Sequence, residues 1–154
     1  MPLSTSDRRD LLTIQEAICD LLLSVDIYQD WRPTENDWSF RQIGVHMAKV
    51  EKECHIYRIN ALLRSNNPTF TYYWNTVDEL GDDDIYASVR LWKEYRRQFI
   101  ERLDQLSRTE EERQGQHDVF GTITPAQLPR LVLDHDGQHH NHLKKMITQF
   151  NESD

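Results

Sequence analysis

Residues 128–150 read LPRLVLDHDGQHHNHLKKMITQF. Leu128, Leu131, Val132, Leu143, Met146 and Phe150 recur at the period of one helix face. Carried through the middle of the segment, that stripe lands on His135, His139 and His142. Residues four apart on an α-helix differ by about 40° in direction and about 6 Å in rise, and residues seven apart by about 20°. The three histidines therefore share the face that is expected to meet a core. His140 lies roughly 140° from His135 and points elsewhere. Thr124 and Gln127 have the spacing of a capping box, with Pro125 at the favoured first position. Pro129 cannot donate and crowds the preceding turn, so within the segment 124–150 the regular helix is predicted to begin near Leu128.

Working outward, three more segments carry helical stripes. Over about 6–28 the stripe is Leu11, Ile14, Ile18, Leu21, Leu22, Val25 and Tyr28. Over about 39–63 it is Ile43, Met47, Val50, Cys54, Tyr57 and Ala61, with His46 inside it. Ser39 and Gln42 form a second capping box there, and Trp38 and Ile43 are placed for a hydrophobic staple. Over about 84–106 it is Ile85, Val89, Trp92, Phe99, Leu103 and Leu106. The connection at 31–38 is short, whereas 64–83 and 109–123 are long. Phe70-Thr71-Tyr72-Tyr73-Trp74 has β propensity but no partner strand in the pattern, and its aromatics predict an ordered cover. Four such segments predict an all-α four-helix bundle with at least one long crossover.

The chain of 154 residues fits one domain, 1–154, with an ordinary core. Eighteen basic residues against 26 acidic ones give −8, which argues against nucleic acid or an anionic membrane as partner. Cys19 and Cys54 fall among apolar neighbours, cannot form a CxxC motif, and read as small buried hydrophobes. The first residues lack the apolar core of a signal peptide, and the longest apolar run, 21–23, is far too short for a membrane span. The expectation is a soluble, cytoplasmic protein.

A bare imidazole in an apolar core needs partners for its ring nitrogens. Several on one stripe, facing His46 from another helix, are most simply satisfied by a common divalent cation. Imidazole suits zinc, nickel, copper and iron. His46, His135 and His139 would supply three ligands and leave a position for water or substrate, the pattern of a catalytic metal. Asp134 and Asp136 flank His135 as its possible hydrogen-bond partners or as plain surface charges. His142 could be a fourth ligand, a substrate contact or a hydrogen-bonded core residue. Glu51 and Glu53 share the His46 helix, but neither stands one turn from His46 on its face. His55 and His117 read as surface or loop residues.

Trp38-Ser39, then His46 seven residues after the serine, then His135-Asp136-x-x-His139 in a C-terminal helix, together resemble the DinB/YfiT-like superfamily. The resemblance covers nearly the whole chain. It implies a four-helix bundle of up-down-down-up type with a trihistidine site at one end, held by His46, His135 and His139. Nickel, zinc and iron all fit such a site. Relatives include transferases and isomerases that use low-molecular-weight thiols such as bacillithiol or mycothiol, and proteins described only as stress-related. Many are homodimers acting on small molecules. Where many relatives carry glutamine, this chain has His142, which makes it a candidate cofactor contact. The resemblance thus implies a metal-dependent thiol transferase, with Arg41 or Lys49 holding an acidic cofactor unless they are only solvated helix charges. The alternatives are a metal-dependent hydrolase and a non-enzymatic protein that binds metal or a small molecule under stress.

Overall fold

The computed structural model describes residues 3–153. Helix α1, Thr5–Ser24, starts at Ser4, whose hydroxyl accepts from the Asp7 amide. It ends earlier than its stripe suggests and passes into a 3-10 turn, Asp26–Tyr28. Helix α2, Phe40–Val50, opens on the expected Ser39–Gln42 capping box. It continues through a π-helical turn, Glu51–Ile56, into α3, Tyr57–Arg64, so that the three form one rod. The crossover contains the short α4, Val77–Leu80, and leads to α5, Ile85–Asp104. A second short helix, α6, Arg108–Glu111, precedes the last connection. After a 3-10 turn at Pro125–Gln127, α7 runs from Leu128 to Glu152, starting where Pro129 predicts.

Four rods, α1, α2–α3, α5 and α7, make the predicted four-helix bundle. Helix α1 packs on α7 and α2 packs on α5. The aromatic stretch after α3 does not stand alone. Thr69–Phe70 forms β1, parallel to β2, Gly115–His117, which pairs in turn with antiparallel β3, Gly121–Ile123. The small sheet ties the crossover to the connection before α7. Its partner strands carry too few residues to show an alternating pattern, which is why the sequence hides them.

At Gly115 the sheet approaches the core closely. A Cβ there would lie 2.7 Å from Phe70 Cε2, 3.0 Å from Leu62 Cδ2 and 3.0 Å from the Pro68 carbonyl oxygen. A Gly115→Ala variant is therefore expected to lose about 1–3 kcal/mol in urea unfolding. An unchanged midpoint would show that the sheet can move away from α3 at no cost.

The interior divides into two apolar clusters. One gathers Ile18, Leu22, Ile43, Met47, Trp92 and Leu143; the other gathers Leu11, Ile59, Leu62, Phe99, Leu128 and Val132. Between them lies a polar layer to which every rod contributes one residue: Gln15, Glu51, Arg96 and Asp136, none more than 4 % exposed. Arg96 is its hub. It donates from Nε and Nη2 to Glu51, from Nη2 to Asp136 Oδ2 at 2.7 Å, and from Nη1 to the Leu11 carbonyl. Trp92 Nε1 also donates to Glu51, and Gln15 Nε2 donates to the Trp92 carbonyl. Fully buried charges persist only when paired and hydrogen-bonded, and here every formal charge meets an opposite one.

Candidate metal centre

Beside that layer, midway along the bundle and not at one end, the structure brings His46, His135 and His139 together. Their potential ligand atoms lie within 4.8 Å of one another. Ring centroids are separated by 4.7 Å for His46–His139, 4.5 Å for His135–His139 and 5.6 Å for His46–His135. His46 comes from α2, two turns past its cap, with the Trp38 ring against it at 4.9 Å. The two α7 histidines are half-buried.

Hydrogen bonds outside the triad set how each ring presents itself. Tyr73 Oη donates to Glu53, and Asn75 Nδ2 donates to Tyr73 Oη. The Asn75 amide oxygen is thus left to accept from His46 Nδ1, at 2.7 Å. This chain places the His46 proton on Nδ1 and turns a lone pair on Nε2 towards His139. His135 Nδ1 lies 3.0 Å from Asp136 Oδ1 and likewise donates outward. His46 Nε2 and His139 Nε2 are only 3.1 Å apart. Two lone pairs cannot face each other at that distance, so a proton or a cation must lie between them. The donor set fits a divalent ion: three imidazoles, two of them already oriented by a partner, which is how metal-ligating histidines are held.

Burial keeps His46 and His139 neutral. It lowers His46 to about 4 and His139 to about 3, with neighbouring histidine charge adding to the effect. Burial would push the Asp136 carboxyl up, but Arg96 and His135 outweigh it and hold Asp136 well below the usual carboxylate range. Glu51 faces the same guanidinium, yet burial wins there and moves it up. In the metal-free protein the unfolded chain binds protons on His46 and His139 first, near pH 6.5. Stability is therefore full above about pH 6.5 and is lost as pH falls towards 4, by about 3 kcal/mol for His46 alone. Urea unfolding of chelator-treated protein at pH 7 and pH 4.5 should show this drop, and a His46→Gln variant should show a smaller one. Equal drops in both proteins would mean that His46 is protonated when folded.

Several expectations change. The fully buried line on α7 runs through Leu128, Val132, Asp136, Leu143 and Met146, so Asp136 is the core residue and the histidines flank the line. His142 is exposed and outside the triad, not on a core face, although its charge still bears on His139. Asp134 is exposed. His55 and His117, expected at the surface, are each only 4 % exposed. In a regular helix nine residues put His55 half a turn away from His46; the π-helical turn unwinds the rod and brings the His55 ring to 5.4 Å from His135. His55, His135 and Asp136 form a second cluster of potential ligands. Arg41 and Lys49 are already engaged, Arg41 with Asp30 and the Asp82 carbonyl, Lys49 with Glu53. Both cysteines are buried, and burial raises their thiols to about 12 for Cys19 and about 11 for Cys54. Asn75 and Tyr73 lie in the crossover, where no periodicity singles them out.

The sequence model of the DinB superfamily matches residues 28–143, from before the Trp38-Ser39 cap to beyond both α7 histidines. The chain belongs to the DinB superfamily. A DinB-like structure with the same fold is YfiT from Bacillus subtilis, described as a probable metal-dependent hydrolase with an unusual four-helix bundle topology. The two share 20 % sequence identity at a TM-score of 0.74, over 98 % of this chain and 91 % of that one. No curated protein matches the chain. The superfamily resemblance and the bundle read from the sequence thus both hold. No helix among the described residues is long and apolar enough to cross a membrane.

Proposed function

We propose that this DinB-superfamily chain is a metal-dependent hydrolase of small molecules, with one divalent ion held by His46, His135 and His139. The observation that carries this reading is the convergence of three imidazoles from two helices, two of them with their outward nitrogens already committed to Asn75 and Asp136. Such an ion supplies Lewis acidity, activating water or polarising a carbonyl. The rest of the work falls to the chain. Asn75 and Asp136 orient the ligand rings. Asp134, which lines the cavity that reaches His135, would be the carboxylate that takes a proton. Tyr72, Phe120 and Leu131 give that cavity apolar walls. The YfiT description supports the same class of chemistry.

A second reading keeps the centre and replaces water by a low-molecular-weight thiol. It is favoured by exposed His142, close enough to His139 for its charge to be felt there, as a contact for the thiol's polar part.

The test begins with elemental analysis of untagged protein purified without added metal or chelator. Near one equivalent of nickel, zinc or iron is expected, and none in His46→Ala. The loaded protein should then turn over members of an ester and amide panel, and lose this activity on chelation. Thermal stabilisation by thiols with no turnover of the panel would favour the thiol reading. A protein that takes up no metal even on reconstitution would overturn both.

A further inference from the structure

We propose that the cavity beside the histidines is a carboxylate-binding subsite, in which Arg58 takes the carboxylate of a small acidic substrate and His55 a neighbouring polar atom. The inference rests on the reading of His135 as part of the reactive centre, and its test separates the two.

Arg58 on α3 is 7 % exposed. A buried guanidinium needs a paired carboxylate or a full set of acceptors. Among the described residues no carboxylate lies within ion-pairing distance of it, in a chain with an excess of acidic groups. Its one side-chain hydrogen bond runs from Nη2 to His117 Nε2, at 3.1 Å. That partner is contested. His117 Nδ1 accepts from the amides of Val119 and Phe120, and a neutral imidazole has a single acceptor nitrogen. If Nδ1 accepts, Nε2 carries the proton and faces a donor. Arg58 thus has a positive charge and unused donors, and the one carboxylate lining its cavity beside the histidines, Asp134, makes no ion pair with it. Arg96, also buried, meets two carboxylates, in contrast to Arg58.

The second observation is His55. Its Nε2 is buried and has no hydrogen-bond partner. Arg58, His55 and His135 all line one cavity of about 180 Å³. That is below the roughly 300 Å³ at which pockets for drug-sized ligands begin, so the ligand is small. The planar fork of a guanidinium matches a carboxylate in bidentate fashion. One guanidinium balances one negative charge, and the Asp134 carboxylate lining the same cavity repels a second, which favours a monocarboxylate over a phosphate dianion. A ligand anchored at Arg58 would extend past His55 towards His135, bringing its reactive end to the metal centre.

The test titrates acetate, butyrate and benzoate, each against its primary amide, with inorganic phosphate as a further arm. Binding is followed by calorimetry and by the NMR signal of the Arg58 Nε–H. The protein is used as isolated and after treatment with a chelator. At least one acid should bind at least tenfold more tightly than its amide, with or without metal, and shift the Arg58 signal. Arg58→Gln should lose that preference and Arg58→Lys should keep part of it. Phosphate should not compete. Equal binding of acid and amide overturns the subsite. So does acid binding that needs the metal and ignores Arg58→Gln, or phosphate binding more tightly than every acid. Should Arg58→Gln fail to fold, the acid–amide contrast and the Arg58 shift in the unmodified protein decide. Metal uptake without acid binding sinks the subsite alone; acid binding at Arg58 in a protein that never takes up metal sinks the hydrolase alone.

Discussion

Replacing Arg96 by leucine is expected to cost about 3–5 kcal/mol of folding stability, a large share of what a domain of this size possesses. Arg96 bridges Glu51 and Asp136, one positive charge between two carboxyl groups, and all three side chains are fully excluded from water. Without the guanidinium, Glu51 keeps only the Trp92 donor and Asp136 only His135, and the two carboxyl groups must stay buried without that charge or take up protons. The Leu11 carbonyl loses its donor too. Urea unfolding at pH 7 should give the loss directly. A triple variant, Arg96→Met with Glu51→Leu and Asp136→Leu, removes every charge together and should recover most of it, because apolar residues of similar volume replace buried ion networks at little cost. A single-variant loss below about 1 kcal/mol would show that the layer is not charged in the folded state.

A His135→Ala variant should lose its metal and remain folded. Its ring is half-buried, and the two apolar clusters lie on other residues. Circular dichroism should match the unmodified protein, while elemental analysis falls from near one equivalent to none. Asn75→Ala provides the graded counterpart. It removes the acceptor that holds the His46 proton on Nδ1, and loss of such an outer partner lowers metal affinity by about 10–100-fold. A His135→Ala protein that melts at moderate temperature would mark the centre as structural. Asn75→Ala with unchanged affinity would mean that His46 needs no external lock.

The helical periods, both capping boxes and the role of Pro129 were legible in the sequence because each depends on residues within one or two turns. The triad was legible because His135 and His139 sit one turn apart and His46 lies in a second stripe. Other features were visible but ambiguous. Arg96 fills the gap in the α5 stripe between Trp92 and Phe99, where a period of three and four residues predicts a buried position. Only its charge argued against that. Asp136 was hidden by its neighbours, since placing the stripe on His135 and His139 left it off the face by one residue. His55 was out of reach for a different reason: regular helix geometry points it away from His46, and no local signal announced the π-helical turn. Asn75, Tyr73 and the partner strands of Phe70 depend on contacts between distant loops, which spacing does not record.

That π-helical turn, Glu51–Ile56, gives the rod a stretch of adjustable length. It holds about one residue more than ordinary helix would, taken up by its wider winding. Were one residue removed from it, the rod would rewind into ordinary helix, and Ile59 and Leu62 would keep facing the core. The same deletion in α2 or α3, where there is no surplus residue, would rotate everything beyond it by about 100°. The turn is therefore a place where the rod can lose a residue while the metal centre and its neighbouring cavity keep their relative positions.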